Sequence, residues 1–245
     1  MNLAFYYQAL NGIVFLSLLG FGFYLNHQTY SKSTAFKRNL RWGGVLLAWQ
    51  IYMYCIGKSG LLQDFSFPPK IALLLVLPAF TLIGLFVYRN RNSLWLSKLK
   101  MHQLILFQSY RLFIEILFVL SVGAGILHKN ASIEGFNFDM VFALSAPVVA
   151  FVVYNYKSKA NWLAKAWNIG GLLVIGSIIL VIMTTIYFPE FYGPDTLPMP
   201  KAFGAYPYVI VAGFLMPTAV LLHILSLVCL RNSKLKNTEA KLQLA

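Results

Sequence analysis

The residues best placed to do chemistry are Gln108, Arg111 and Glu115, in the run Gln108-Ser109-Tyr110-Arg111-Leu112-Phe113-Ile114-Glu115. The run sits inside an apolar segment, His102 to Leu127, long enough to cross a bilayer. Arg111 and Glu115 are four apart, so on a helix they share one face about a turn apart, with Gln108 beside them. Each ionised residue at mid-membrane carries an insertion penalty of about 2.5–3.5 kcal/mol. An ion pair at ~4 Å in an effective dielectric near ~20 returns about 4 kcal/mol. Two readings follow. Glu115 takes a proton when its bond to Arg111 is broken, making a proton- or anion-handling site. Alternatively, the pair is a permanent bridge that fixes helix packing.

Other polar groups fall within apolar stretches. They are His223, Gln50, Asn11, Gln8 and Asn168. They suit either the lining of a shared cavity or interhelical hydrogen bonds worth about 0.6 kcal/mol each. Glu134, Asn137 and Asp139 lie in the run Glu134-Gly135-Phe136-Asn137-Phe138-Asp139. There, Asn137 or Asp139 suits a helix N-cap, and the group as a whole suits an outward mouth that attracts cations.

The elements that must position these residues are membrane helices. Hydrophobic residues make up 59% of the 245 and charged residues 11%, well below the ~25% of soluble domains. Mean hydropathy is +0.68. Continuous apolar runs make the alternating strands of a membrane barrel a poor alternative. The expected fold is all-α, with seven transmembrane helices at about 4–26, 42–57, 71–88, 102–127, 139–156, 166–188 and 206–230. The second is the shortest and has room to extend toward Leu62. The N-terminal apolar run has no basic region before it and reads as a first crossing, not a removed signal.

Loop charge sets the expected orientation. Lys32, Lys37, Arg38, Arg41, Arg89, Arg91, Lys98, Lys100, Lys157, Lys159, Lys165, Arg231, Lys234, Lys236 and Lys241 fall on one side. Only Lys58, Lys70, Lys129 and Lys201 fall on the other, leaving Arg111 in the interior. The asymmetry places the N-terminus outside and the C-terminus in the cytoplasm. The net charge of +13 is therefore topological, and no nucleic-acid partner is expected. Trp95, Trp162 and Trp167 fall near the inner interface, as an aromatic belt does. Cys55 and Cys229 fall near opposite faces, too far apart for a disulfide.

An internal repeat is readable. Pro68 and Pro78 in span 3 match Pro207 and Pro217 in span 7. Trp42-Gly43-Gly44 opens span 2, and Trp167-Asn168-Ile169-Gly170-Gly171 opens span 6. Within a single domain, 1–245, halves at 1–100 and 135–235 would be joined by a linker helix at 102–127, a parallel 3+1+3 plan. Pro78, Pro147 and Pro217 fall inside helices and predict kinks. The Pro-rich run of Pro189, Pro194, Pro198 and Pro200 predicts a stiff loop over the bundle.

The patterns Gln108-x-x-Arg111-x-x-x-Glu115, Glu134-Gly135-x-Asn137-Phe138-Asp139 and Leu144-x-Ala146-Pro147 together resemble an uncharacterised family of bacterial seven-helix integral membrane proteins. That resemblance implies a bacterial inner-membrane location and a fold, but no activity. The layout is similar to SWEET and PQ-loop carriers, although the chain has no Pro-Gln dipeptide and its charged pair falls on the linker helix. The expected function is a small-solute transporter or carrier, with Arg111, Glu115, Gln108, Gln50, His223 and Asn11 as the substrate or coupling site. Glu134, Asn137 and Asp139 would form its outer mouth. The alternative is a seven-helix sensor, or a structural component of a membrane complex. No G-x-S-x-G, H-E-x-x-H or phosphate-loop pattern occurs, so no enzyme chemistry, metal or cofactor is expected. The expected partners are the lipid bilayer and an unidentified small solute, and the plan is compatible with an oligomer.

Overall fold

The structure, a computed structural model, describes residues 2–242, with side chains described as far as Asn232. The tail lysines Lys234, Lys236 and Lys241 thus have side chains outside the described residues. Regular structure among the described residues is entirely helical. The long elements are α1 (Leu3–Thr29), α2 (Lys32–Lys58), α3 (Ala72–Asn90), α4 (Met101–Gly123), α5 (Asp139–Tyr156), α6 (Asn161–Tyr187) and α7 (residues 211–242). Five apolar stretches are long enough to cross a membrane: α1, α3, α4, the run Asp139–Tyr187 and Val211–Asn232. That run is not one rod. Residues 157–160 form a tight turn with Lys157 at φ 47°, and α5 folds back against α6.

Helix α2 is less apolar than these stretches because its N-terminal turns are basic. It extends to Lys32, and not toward Leu62, because nothing between Lys32 and Arg41 breaks a helix. Lys32, Lys37, Arg38 and Arg41 therefore ride on helical turns. The α1–α2 hairpin is zipped by polar bonds at three heights. Asn26 Nδ2 donates to Asn39 Oδ1 (2.8 Å), Trp42 Nε1 to the Leu18 carbonyl (3.2 Å), and Asn11 Nδ2 to Gln50 Oε1 (3.0 Å).

Helices α7 and α4 are the most buried of the apolar helices and α3 the least. Each of these three has a wide or tight turn. Residues 72–76 of α3 and 211–215 of α7 are π-helical, and 108–110 of α4 are 3₁₀. Each π segment precedes a helical proline. Pro78 has no N–H for the Leu74 carbonyl four residues back, and Tyr52 Oη donates to that carbonyl (2.6 Å). Pro217 leaves the Gly213 carbonyl in the same position, and Trp49 Nε1 donates to it (2.8 Å). Both donors come from α2. Side-chain donors re-satisfy the freed backbone, as apolar surroundings require. Close packing here needs Gly213, since a Cβ would press on Leu75 at 2.9 Å and on Met53 Sδ at 2.9 Å.

Helix α4 stops at Gly123, short of Leu127. Gly125 takes φ 68°, and the Ile126 and Leu127 amides bond to the Ser121 carbonyl. The chain then turns back into the bundle. Asn130, Ala131 and Ser132 are buried, and Gly135 lies against the Asn130 backbone, where no side chain fits. Trp95 and Trp167 are also buried, so of the three expected belt tryptophans only Trp162 faces outward.

Candidate functional site

Arg111 is the largest of the fully buried side chains, 1% exposed. Its position follows from α4, whose apolar flanks hold it midway along the rod. Its counter-charge is Asp139, and not the expected Glu115. Nε donates to Asp139 Oδ2 at 2.8 Å, and Nη2 donates to Oδ1. Such a two-pronged pair matches the planar guanidinium fork. Nη1 lies 3.0 Å from His223 Nε2, and His223 Nδ1 lies 2.9 Å from Asn168 Oδ1. Asn168 Nδ2 donates to the Ala164 carbonyl (2.7 Å), which fixes its oxygen toward the ring. With Asn168 Oδ1 as acceptor, Nδ1 carries the proton and Nε2 accepts from Arg111. The imidazole packs on Trp167 (5.2 Å between centroids) and crowds Gly171, where a Cβ would overlap it.

Glu115 is equally buried but separately held. Asn137 Nδ2 lies 2.9 and 3.0 Å from its two oxygens and 3.1 Å from the Ala131 carbonyl. Asn137 Oδ1 accepts the Asp139 amide (2.9 Å). This one side chain therefore joins the returning loop, Glu115 and the start of α5. Glu115 lies eight residues below Gly123, about 12 Å of helix, so residues 124–138 re-enter to that depth. The expected outer mouth is corrected accordingly: Asn137 and Asp139 are 1% and 5% exposed and belong to the central cluster, and only Glu134 is exposed. Asp139 opens α5, where the helix dipole favours its charge.

The remaining expected residues divide. Gln108 Nε2 donates to the Ala219 carbonyl (3.0 Å), hooking α4 to α7, while its Oε1 has no partner. Beside it, Tyr110 Oη donates to the Leu215 carbonyl (2.5 Å). Asn11 and Gln50 bond each other, half-buried, and take no part in the Arg111 network. Tyr7 Oη pairs with Ser121 Oγ (2.8 Å).

A cavity of about 50 Å³ adjoins the cluster. Arg111, Glu115 and Asp139 stand on its wall, with isoleucines of α6, Phe203 and apolar residues of α3, α4 and α7 around them. Room of this size holds a few waters. Phe203 comes from the proline-rich segment, through the short turn Lys201–Gly204, which packs against Leu62 so closely that Gly204 has no space for a side chain. Sequence reading did not single out Phe203, Tyr110, Trp49 or Tyr52. A buried Tyr or Trp needs an acceptor, but nothing local says which.

Comparison with known proteins finds no family model, no curated protein and no solved structure that matches this chain.

Proposed function

We propose that the chain is a multi-pass carrier of a small solute, caught closed, with its coupling centre at Arg111, Asp139, Glu115 and His223. In this reading it crosses a bacterial inner membrane seven times, N-terminus outside. The hairpin at residues 157–160 makes two crossings of the run Asp139–Tyr187, and the 27-residue α2 makes another. The positive-inside asymmetry supports the orientation. The matching π segments ahead of Pro78 and Pro217 support a duplicated 3+1+3 plan.

One observation carries the proposal: irregular backbone re-enters the bundle to deliver Asn137 and Asp139 to two buried charged residues beside a cavity. Non-helical backbone at membrane depth is tolerated where it lines a site. Wide and tight turns in α7 and α4 flank the same cluster and supply places to bend. The Arg111–Asp139 pair would open to admit solute, with Glu115 taking up a proton as the bonds rearrange. Phe203, on the cavity wall, would close the path from the outer side.

The test is thermal shift of the purified protein across a panel of small anions, zwitterions and sugars at several pH values, beside Glu115→Gln, followed by uptake into proteoliposomes. The wild type should respond to a solute class, and Glu115→Gln should lose the pH dependence of that response. If neither solute nor pH separates the two proteins, the coupling role of this centre is refuted.

A further inference from the structure

Away from the central cluster, α1, α2, α3 and α7, with Trp95, Leu99 and Leu104 from the start of α4 and the turn before it, enclose a groove of about 490 Å³. This is the size of a ligand pocket, and far larger than the cavity at Arg111. Its walls are apolar, built from residues such as Leu18, Leu25, Leu85 and Leu222. Its rim carries Arg38 and Arg41 of α2 and Arg89 of α3. Among the described residues the ion pairs are Lys70–Asp64 and Arg111–Asp139, so none of the three rim arginines meets a carboxylate. Arg38 is held in place, with Nε donating to Asn26 Oδ1 (3.2 Å) and its guanidinium 4.5 Å from the Tyr30 ring. Arg41 and Arg89 are exposed.

The groove does not end at its own floor. A second apolar pocket of about 110 Å³ shares Trp42, Val45, Leu82, Phe86 and Leu221 with it. That pocket continues to Trp49 and Pro217. From Arg38 to Trp49 the track runs eleven helical residues, about 16 Å. One end is cationic, with no carboxylate partner among the described residues, and the other is apolar apart from Thr218. A water-soluble anion would leave the track empty, a lipid without phosphate would leave the guanidiniums without a counter-charge, and a choline headgroup would set its own cation against them.

We infer that this groove binds a single anionic phospholipid, its headgroup phosphate against Arg38, Arg41 and Arg89 and one acyl chain along the track toward Trp49. Guanidinium forks suit phosphate, and basic pockets between membrane helices on the cytoplasmic side take anionic headgroups. The inference rests on the proposed membrane orientation but not on the coupling centre, since no residue of the groove belongs to the central cluster.

The experiment is native mass spectrometry of the detergent-purified protein titrated with phosphatidylglycerol or phosphatidylcholine of identical chains. Wild type should prefer phosphatidylglycerol, and Arg41→Gln with Arg89→Gln should weaken that lipid by roughly thirtyfold. Lys32→Gln with Lys37→Gln, equal in charge change but outside the groove, should leave the preference intact. Val45→Trp, which fills the track, should lower retention of the lipid. Glycerol phosphate, the headgroup without chains, should not bind measurably. Equal binding of the two lipids by wild type, equal losses in the two double variants, or unchanged retention by Val45→Trp would overturn the inference. Glycerol phosphate binding as tightly as the lipid would instead mark a site for a soluble phosphate and overturn it too.

Discussion

The ion pairs among the described residues are opposite experiments in the same chain. Arg111–Asp139 lies in the bundle centre, both partners almost wholly inaccessible, with His223, Asn168 and Asn137 completing the bonding. Lys70–Asp64 lies in the connection ahead of α3, in solvent, spanning six residues. The first joins α4 to α5 across 28 residues, while the second only ties a loop to itself. In water a pair gains little because solvent competes and the side chains lose freedom. In the interior the pair itself is a poor source of stability, but breaking it leaves a charge with nowhere to go. The same chemical bond therefore specifies structure in one place and decorates it in the other.

This contrast can be broken by substitution. Asp139→Ala should destabilise by about 3–5 kcal/mol, because Arg111 stays buried and unpaired. The double replacement Arg111→Met with Asp139→Leu should recover much of that loss. Thermal unfolding in one detergent measures both, and a single variant milder than the double would reverse the argument. Asn137→Ala should cost about 1–3 kcal/mol, since Glu115 and the Ala131 carbonyl lose their donor together. Asp64→Asn should leave the melting temperature unchanged at neutral pH. The hydrogen bond from Lys70, then the Ser66 amide, holds the Asp64 carboxyl below its ordinary range. Whatever stability it adds is present above the ordinary carboxylate pKa and is lost as pH falls through the lowered value. A melting curve that drops instead between neutral pH and pH ~5 would place the acid-sensitive group elsewhere.

Hydropathy made the helix positions readable, because burial in a bundle demands long apolar runs whatever the partners are. The burial of Arg111 and Glu115 followed from the same reasoning. Their partners did not. Spacing of four reports adjacency on a helix, yet Arg111 turns to Asp139 and Glu115 to Asn137, because the loop after Gly125 folds inward and offers better geometry. His223 and Asn168 looked like isolated polar groups, since nothing local links positions 55 residues apart. The basic turns of α2 read as a loop from charge alone, although no residue there stops a helix. Arg38, Arg41 and Arg89 read only as markers of sidedness, and their convergence on one groove is a tertiary fact.

Trp49 and Tyr52 sit three residues apart on α2, and each holds the carbonyl left open by a proline in a different neighbour. One rod thereby clasps two knees. A bend at either proline would have to break its bond to that rod or carry the rod with it, so the least and the most buried of the apolar helices share one clasp.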